Sequence, residues 1–325
     1  IHANTMYYKD GFMKKIYIGP KEETIKNNDF FDYSITLFGT NENSNISYES
    51  SLTFEYWNPD NNLKEITIYN RELINSNFKG ELMAHDPYLI AKCNIPSELN
   101  LICLNDLSLL ETLNNKFEVR KIFKNYVPIL KYYSVKGKDF KYDKFKDIGD
   151  TLVIQLPIGS GGSKTFICNN NNYYMVEKSL IENEIYSVSK YIENNIPFNV
   201  HCLIGKNQIE ILPPSQQELE IIDKIEYIGS TYDISLDDND LKKLKNYCTI
   251  ICEKLKNMEY MGVLGIDFIK VENEFYFIEI NPRFQGSTQK VDKILKDNNL
   301  PSIFEYNYNF FKGLDMPTTN NIKTK

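Results

Sequence analysis

The stretch GVLGIDFIKVENEFYFIEINPRFQG occupies residues 262–286. Two runs rich in β-forming residues flank a short polar segment, which predicts an antiparallel hairpin with Asn273 at the centre of its turn. This register places Asp267 opposite Glu279 and Gly265 opposite Asn281, and it puts all four on one face because side chains alternate along a strand. The residues expected on the other face are apolar: Leu264, Ile266, Phe268, Ile278 and Ile280.

The acidic pair in this hairpin predicts a bound cation. Directly opposed residues have Cβ atoms only about 4.5–5.5 Å apart, and like charges at that spacing destabilise a sheet. A Mg²⁺ ion between Asp267 and Glu279 removes the repulsion, because Mg²⁺ takes carboxylate oxygens together with substrate phosphates and water. Asn281 adds a neutral oxygen, Gly265 leaves space for a ligand, and Mn²⁺ is the alternative ion. The competing interpretation is an edge hairpin whose acids are simply solvated.

Arginine is rare in this chain. The sequence contains only Arg71, Arg120 and Arg283, although Lys and Arg together number 37. An arginine is informative where lysine is the common cation, because its planar fork can meet a carboxylate or phosphate with two hydrogen bonds. Arg283 follows Asn281 by two residues and is predicted to point toward the same face. It is therefore a candidate clamp for a phosphate or a developing acyl phosphate.

The composition limits the class of protein. The chain has 325 residues, is 42% hydrophobic and carries a formal net charge of −7. Its length suggests about two domains, and its acidic balance argues against a nucleic-acid partner, because such binding needs Lys and Arg at the phosphates. No run approaches the roughly 20 apolar residues that span a bilayer, so no membrane partner is expected. The expectation is a cytoplasmic protein that acts on small molecules, with homo-oligomerisation left open.

The first part of the chain predicts an open α/β domain over residues 13–110. Met13 begins the segment MKKIYIGP, which reads as a natural start after an extension at residues 1–12. One helix is expected over residues 105–125. Short apolar runs predict strands or short buried pieces at residues 15–18, 34–38, 66–69, 89–91 and 101–104.

A glycine-rich segment, GSGGSKT at residues 159–165, lies between two predicted strands. Such a loop can offer successive backbone N–H groups to phosphate oxygens, and an ordinary hairpin turn is the alternative interpretation. Further along, residues 173–178 are predicted as a strand and residues 179–190 as a short helix. Paired strands at 198–203 and 208–212 and a long helix from about 238 to 261 follow.

The hairpin at residues 262–286 resembles the C-terminal signature of the ATP-grasp superfamily. In that family an acidic residue and a later Glu-x-Asn bind Mg–ATP, which implies metal binding by Asp267, Glu279 and Asn281. A following arginine assists the transfer, which implies a catalytic role for Arg283. The glycine-rich loop resembles the family's mobile phosphate-covering loop, and the resemblance implies nucleotide contacts from Gly159, Ser160, Gly161, Gly162 and Ser163.

Two further segments carry the resemblance. Asn115-Lys116 and Val127-Pro128 resemble the family's D-K…G-[VI]-P segment, so Lys116 is implied to contact nucleotide phosphate and to assist catalysis; a solvated helix lysine is the alternative. The segment SKYIEN at residues 189–194 resembles the family's hinge between two lobes. This resemblance implies nucleotide contacts from Lys190, Tyr191, Ile192 and Glu193, and from Asn199 on the next strand.

Two residues near these segments receive other interpretations. The family usually places a lysine in the strand before the glycine-rich loop, whereas this chain has Gln155. Gln155 is assigned to nucleotide binding as a hydrogen-bonding residue without charge, and Lys164 in the loop is the candidate substitute for the missing cation. His201, which shares a strand face with Asn199, is predicted to be a structural histidine with a hydrogen-bonded ring.

The resemblance implies an ATP-grasp fold, α/β overall and α+β in its C-terminal part. Its parts are an N-terminal α/β domain (13–110), a lid subdomain with the glycine-rich loop (111–190) and a C-terminal subdomain with the hairpin (191–325). The implied activity is that of an ADP-forming ligase: ATP and Mg²⁺ activate a small-molecule carboxylate as an acyl phosphate, and an amine substrate then forms an amide. The alternatives are other ATP-grasp chemistry, of the carboxylase, purine-pathway or small-molecule kinase type, and a degenerate module that binds ATP without turnover.

Overall fold

The N-terminal part of the chain contains a parallel four-stranded sheet. The computed structural model describes residues 13–20, 28–36, 48–50, 66–68, 79–93, 95, 97–159, 164–221 and 225–322. The strands in chain order are β1 (Lys14–Gly19), β2 (Tyr33–Thr36), β3 (Tyr48–Ser50), β4 (Ile66–Ile68), β5 (Gly80–Ala84) and β6 (Leu99–Ile102). The first sheet has the order β2-β1-β5-β6, and β3 pairs with β4 separately. The short helix α1 (Pro87–Ile90) follows β5, so His85 and Asp86 lie at the carboxyl edge of the first sheet.

An antiparallel sheet of four strands follows two helices, α2 (Leu107–Asn114) and α3 (Lys116–Phe123). This second sheet has the order β7-β10-β8-β9. Its elements are β7 (Tyr132–Lys136), β8 (Leu152–Gln155), β9 (Thr165–Cys168), helix α4 (Tyr173–Ser179) and β10 (Ile185–Lys190). The glycine-rich segment connects β8 to β9, and alternate residues of the strands, such as Leu152 and Ile154, pack into a core of their own.

The third sheet is antiparallel and has six strands, in the order β14-β13-β11-β15-β16 with β12 paired to β11. Its elements are β11 (Ile196–Ile204), β12 (Ile209–Ile211), β13 (Ser215–Ile221), β14 (Ile225–Thr231), helix α5 (Asp238–Asn257), β15 (Gly262–Val271) and β16 (Glu274–Asn281). Helices α6 (Thr288–Asp297) and α7 (Ile303–Phe311) follow. The hairpin identified from the sequence is thus one edge of this sheet.

The hairpin has the predicted register at the end that matters for the site. Asp267 pairs with Glu279, and Gly265 pairs with Asn281. The turn is tighter than predicted, because Val271 already pairs with Glu274, and a bulge on β16 offsets this difference of one residue. The bulge residue is Ile278, which lies in the wall of a cavity. Ile278 was expected in the apolar core with Leu264 and Ile266, but the bulge places Phe277 in that core instead.

The two faces of the third sheet pack into different cores. Leu264 and Ile266 face α2, α3 and α5, whereas Val263, their neighbour in the strand, packs with α6, α7 and the first sheet. Asp267 is on the same face as Val263, since the two are an even number of residues apart. Helices α2 and α3 therefore pack against the third sheet.

Three predictions of secondary structure needed correction. The helix expected over residues 105–125 is broken at Asn115, where the backbone is extended. The side chain of Asn115 caps α3 by accepting hydrogen bonds from the N–H groups of Phe117 and Glu118. Residues 173–178, predicted as a strand, form α4, and only Val176 of this helix is buried. Residues 185–190, predicted as part of a helix, form β10, which pairs with strands on both sides.

No helix in the described part of the chain is both long enough and apolar enough to cross a membrane.

Candidate active site

A cavity of about 1020 Å³ is lined by residues of the second and third sheets and by residues at the edge of the first sheet. Val153 and Gln155 of β8 and the segment that follows β10 form one wall, and β15 and β16 form the facing wall. Residues of the β13–β14 hairpin close one side, and Pro20 and His85 bring the edge of the first sheet to the cavity. Several residues that the sequence singled out on distant segments therefore meet around one space: Gln155, Lys190, Tyr191, Ile192, Asn199, Asp267, Glu279, Asn281 and Arg283.

Asp267 and Glu279 face each other across neighbouring strands in the wall of this cavity. Burial, and then the negative charge of Glu279, raises the pKa of Asp267 to about 7. Burial also acts on Glu279, but the positive charges of Lys116, Arg283 and Arg120 outweigh it and hold the pKa of Glu279 below its ordinary value. At neutral pH Glu279 is ionised, while a proton is bound to the carboxyl group of Asp267 in part of the molecules.

Side-chain amides direct N–H groups at the acidic pair. Asn281 Nδ2 lies 3.0 Å from Asp267 Oδ2 and 3.5 Å from Glu279 Oε1, and Asn199 Nδ2 lies 2.5 Å from Asp267 Oδ1. The hydrogen bond from Asn199 offsets part of the rise in the pKa of Asp267. Asn199 Oδ1 is buried and has no hydrogen-bond partner among the described residues. The oxygen atoms of this group fit Mg²⁺. Two carboxylates are present, and rotation of a neighbouring side-chain amide by 180° would bring its oxygen toward the ion.

The space over Gly265 is filled by the side chain of Gln285. A Cβ atom at position 265 would lie 1.6 Å from Gln285 Nε2, and Gln285 Oε1 accepts a hydrogen bond of 2.6 Å from Asn199. The expectation that Gly265 leaves room for a ligand was therefore wrong. The missing side chain instead admits Gln285, which holds Asn199 beside Asp267.

Lys116 forms a buried ion pair with Glu279. Its Nζ lies 3.0 Å from Glu279 Oε2, and its side chain is 6% exposed. The same ammonium group donates a hydrogen bond to the carbonyl oxygen of Gly159, at the start of the glycine-rich segment. Lys116 does not line the cavity. The structure therefore places it behind Glu279, where it joins the acidic pair to the loop.

Replacing Lys116 by methionine is expected to lower the free energy of unfolding by about 3 kcal/mol, because Glu279 then stays buried without its nearest cation. Lys121→Met is the matched control on the same helix, since Lys121 and its partner Glu118 are exposed and such surface pairs contribute little. Urea-induced unfolding of both variants measures the difference. Similar losses in the two variants would show that the buried pair has no special weight.

Arg283 reaches the cavity from the end of β16, on the same wall as the acidic pair, as the sequence predicted. Its Nη2 donates to Asn281 Oδ1 at 3.0 Å, and its Nη1 donates to the carbonyl oxygen of Phe284 at 2.9 Å. Its Nε lies 3.7 Å from Asp86, at the edge of the first sheet. Arg283 thus connects the hairpin to the N-terminal part of the chain.

The segment predicted as the hinge lies where β10 leaves the second sheet. Lys190, Tyr191 and Ile192 all line the cavity. The N–H of Tyr191 is engaged, because it donates to the carbonyl oxygen of Thr151 at 2.9 Å. Glu193 is exposed and is not part of the cavity wall, so the structure does not bring it to the predicted site.

Hydrogen bonds to Arg120 of α3 and to Thr165 of β9 change the interpretation of Gln155. Gln155 lines the cavity, but its Oε1 accepts from Arg120 Nη2 at 3.0 Å and its Nε2 donates to Thr165 Oγ1 at 3.3 Å. Arg120 also lines the cavity and was not predicted as a site residue. The rarity of arginine was the signal that could have identified it.

Part of the predicted site falls on the glycine-rich loop. Four of its residues, Ser160, Gly161, Gly162 and Ser163, lie outside the described residues, so their nucleotide contacts stay predictions.

The two histidines near the site are neutral. His201 is buried, its Nε2 lies 3.3 Å from Thr288 Oγ1, and burial lowers its pKa to about 3. This agrees with the prediction of a structural histidine. His85, which lines the cavity, has a pKa well below its ordinary value because of burial and then the charge of Arg283.

Comparison with known families identifies the class of protein. A family model described as the ATP-grasp domain matches residues 113–287, which is more than half of the chain. The chain therefore belongs to the ATP-grasp family. No curated protein sequence matches it.

Solved structures share the fold. Carboxyaminoimidazole ribonucleotide synthase of Aspergillus clavatus, complexed with ATP, is 14% identical over 96% of this chain and 80% of that chain, with a TM-score of 0.62. D-alanine–D-alanine ligase of Bacillus anthracis is 12% identical over 92% and 97%, with a TM-score of 0.56. The biotin carboxylase domain of Hydrogenobacter thermophilus 2-oxoglutarate carboxylase, solved with MgADP and bicarbonate, is 17% identical over 75% of this chain, with a TM-score of 0.55. The chain spans only 56% of the length of that last structure.

Proposed function

We propose that the chain is an ADP-forming ligase that activates a carboxylate with Mg–ATP and joins it to an amine. The observation that carries the proposal is the direct pairing of Asp267 with Glu279 in the wall of a cavity shared with the second sheet. Asn281 ends the same strand, and Arg283 follows it on the same wall. Two carboxylates and an amide on one face are the oxygen ligands that Mg²⁺ prefers where it also holds phosphates.

Each residue has a role in this proposal. Asp267, Glu279 and Asn281 would hold a Mg²⁺ ion, which would supply positive charge to the phosphates of ATP. A carboxylate oxygen of the substrate attacks the γ-phosphorus and ADP leaves; the amine then displaces phosphate from the acyl carbon. Arg283 stabilises the negative charge of the transferring group. Lys116 keeps Glu279 ionised, and the hinge at 190–192 binds the adenine side of the nucleotide.

Carboxylation with bicarbonate as the acid is the second candidate. The observation in its favour is that the Hydrogenobacter thermophilus structure with this fold was solved with MgADP and bicarbonate. The same residues of this chain would act, and only the acid and the nucleophile would differ.

The test is product formation from Mg–ATP and a panel of amino-acid pairs, with ADP measured enzymatically and products measured by mass spectrometry. The proposal expects ADP release that needs both substrates, together with a product joined by an amide bond. A parallel arm with [¹³C]bicarbonate and single amines detects carboxylation. Tight ATP binding without ADP in either arm would overturn the ligase proposal and favour a binding module.

The raised pKa of Asp267 leads to a prediction about pH. Because this pKa is about 7 in the metal-free protein, a cation must displace a proton at lower pH. Mg²⁺ affinity, measured by calorimetry, is expected to rise with pH and to level off above this pKa, changing by at most about tenfold per pH unit below it. Proton release, measured in buffers of different ionisation enthalpy, is expected to be largest at low pH and to vanish at high pH.

Asp267→Asn is the control for this prediction, because it removes the titrating group. Its Mg²⁺ affinity is expected to be weaker and independent of pH over the same range. A pKa that is raised on folding stabilises the folded state at low pH, and this stabilisation is lost as pH rises through the folded-state pKa. The metal-free parent protein is therefore expected to lose stability relative to D267N between about pH 4 and pH 7 and to change little above that range. An Mg²⁺ affinity that falls with rising pH in the parent protein would disprove the assignment.

A further inference from the structure

Helix α3 carries two cations that lie one turn apart and have different environments. Lys116 is engaged by Glu279 and by the carbonyl oxygen of Gly159, and it does not line the cavity. Arg120, four residues later, does line the cavity. Residues i and i+4 share a helix face, so the helix presents Lys116 to the acidic pair and Arg120 to the ligand space.

The guanidinium of Arg120 is held by neutral acceptors only. Its Nη2 donates to Gln155 Oε1 at 3.0 Å, its Nε to the carbonyl oxygen of Ile278 at 3.3 Å, and its Nη1 to Ser187 Oγ at 3.4 Å. No carboxylate of the described residues lies within 4.0 Å of it. Arg120 is 9% exposed. Burial lowers the pKa of Arg120, and the negative charge of Glu279 offsets part of this decrease. Glu279 offsets part of the cost of burying this cation but forms no ion pair with it, so an anion from the ligand would lower the cost further.

The neighbours of Arg120 leave part of it available. A guanidinium has more N–H donors than these three acceptors occupy. Gln155 carries no charge, its Oε1 accepts from Arg120, and one N–H of its Nε2 donates to Thr165. The ring of Tyr132, 5.5 Å from the guanidinium, also helps to hold its plane. Arg120 of α3 therefore brings a cation to this wall of the cavity in addition to Lys190, and Gln155 fixes the orientation of the guanidinium.

We propose that Arg120 binds a phosphate group of the nucleotide, and that Gln155 is a positioning residue that acts through Arg120. This inference rests on the proposed function, since it requires that the cavity binds a nucleotide. It assigns the phosphate-binding charge of this wall to the helix α3 and not to the strand β8. A planar guanidinium suits this role, because it can offer two parallel N–H groups to phosphate oxygens.

Calorimetric titration with ADP and with adenosine, both in the presence of EDTA, tests the proposal without the metal ion or turnover. Arg120→Gln is expected to weaken ADP binding by at least about tenfold and to leave adenosine binding within about twofold. Lys121→Gln, on the same helix but exposed and paired with Glu118, is the matched control and is expected to bind both ligands as the parent protein does. Unchanged ADP affinity in folded R120Q, or an equal loss for ADP and adenosine, would overturn the proposal.

Moving the charge across the Arg120–Gln155 pair separates phosphate binding from a purely structural role. The double variant R120Q/Q155K keeps a cation and an amide in the pair but exchanges their positions. Its ADP affinity is expected to return to at least about a third of the parent's. If Arg120 had only a structural role, this exchange would not restore ADP affinity. No recovery of ADP affinity in the folded double variant would count against phosphate binding.

The remaining outcomes are covered by one further variant and by the parent protein. If circular dichroism shows that R120Q does not fold, Arg120→Lys replaces it, with an expected loss of about threefold to tenfold for ADP only; equal ADP affinity in R120K would then overturn the proposal. Absence of ADP and ATP binding in the parent protein contradicts the proposed function itself. ADP binding that R120Q leaves intact contradicts only this inference.

Discussion

Replacing Glu279 by glutamine is expected to reduce ADP formation by at least about a hundredfold, since removal of one group that stabilises transition-state charge has effects of this size. The change keeps the shape of the side chain. It removes the charge that faces Asp267 and pairs with Lys116 at 3.0 Å. Mg²⁺ is held by charged and neutral oxygens, so the loss is expected in the metal-dependent step, while adenosine binding at the hinge stays near that of the parent protein.

The matched control is Glu274→Gln, which makes the same change on the same strand. Glu274 lies at the other end of β16, where it accepts a hydrogen bond of 3.0 Å from Tyr247 and lies 3.8 Å from Lys243. Glu274 does not line the cavity, and the turnover of the E274Q variant is expected to stay within about twofold of the parent value. ADP release at saturating Mg–ATP is the measurement. Undiminished turnover in E279Q would remove Glu279 from the metal site.

Replacing Arg283 by methionine is expected to lower kcat by about a hundredfold with a much smaller effect on ATP affinity. The guanidinium lies at the junction of the hairpin and the first sheet, 3.0 Å from Asn281 Oδ1 and 3.7 Å from Asp86. A cation in this position meets charge that develops during transfer more than charge already present on ATP. Steady-state kinetics give kcat, and calorimetry gives ATP affinity independently.

Arg283→Lys separates the charge of this residue from its geometry. Lysine keeps the positive charge but cannot keep both hydrogen bonds, to Asn281 and to Phe284. Its kcat is expected to lie between those of the parent protein and R283M, about tenfold below the parent. An R283M variant with normal kcat and weakened ATP binding would assign Arg283 to nucleotide binding and not to the transfer step.

The hairpin could be predicted from the sequence because its information is local. Alternation of side chains and a short polar turn were enough to pair Asp267 with Glu279 and Gly265 with Asn281. The turn itself was placed half a residue too far along, and the pairing survived only because a bulge at Ile278 compensates. Strand pairs closer to the turn than the bulge were therefore displaced by one residue from the predicted register.

The remainder of the site depends on contacts between distant segments, which one sequence does not reveal. Lys116 meets Glu279 across 163 residues, and Arg120 meets Gln155 across 35. The sequence around Lys116 and Arg120 does not show that Lys116 forms an ion pair with Glu279 while Arg120 lines the cavity. The same limit applies to Gln285, whose side chain fills the space over Gly265, and to β10, whose central place in a sheet is set by its partners β7 and β8.

A crystal structure with Mg²⁺ and a non-hydrolysable ATP analogue tests the central claim most directly. The expected result is a metal ion bound to the carboxylates of Asp267 and Glu279, with metal–oxygen distances of about 2.0–2.1 Å. The triphosphate is expected between that ion and Arg120, and the adenine at residues 190–192. A nucleotide bound outside the cavity, or a metal ion without either carboxylate among its ligands, would contradict the account.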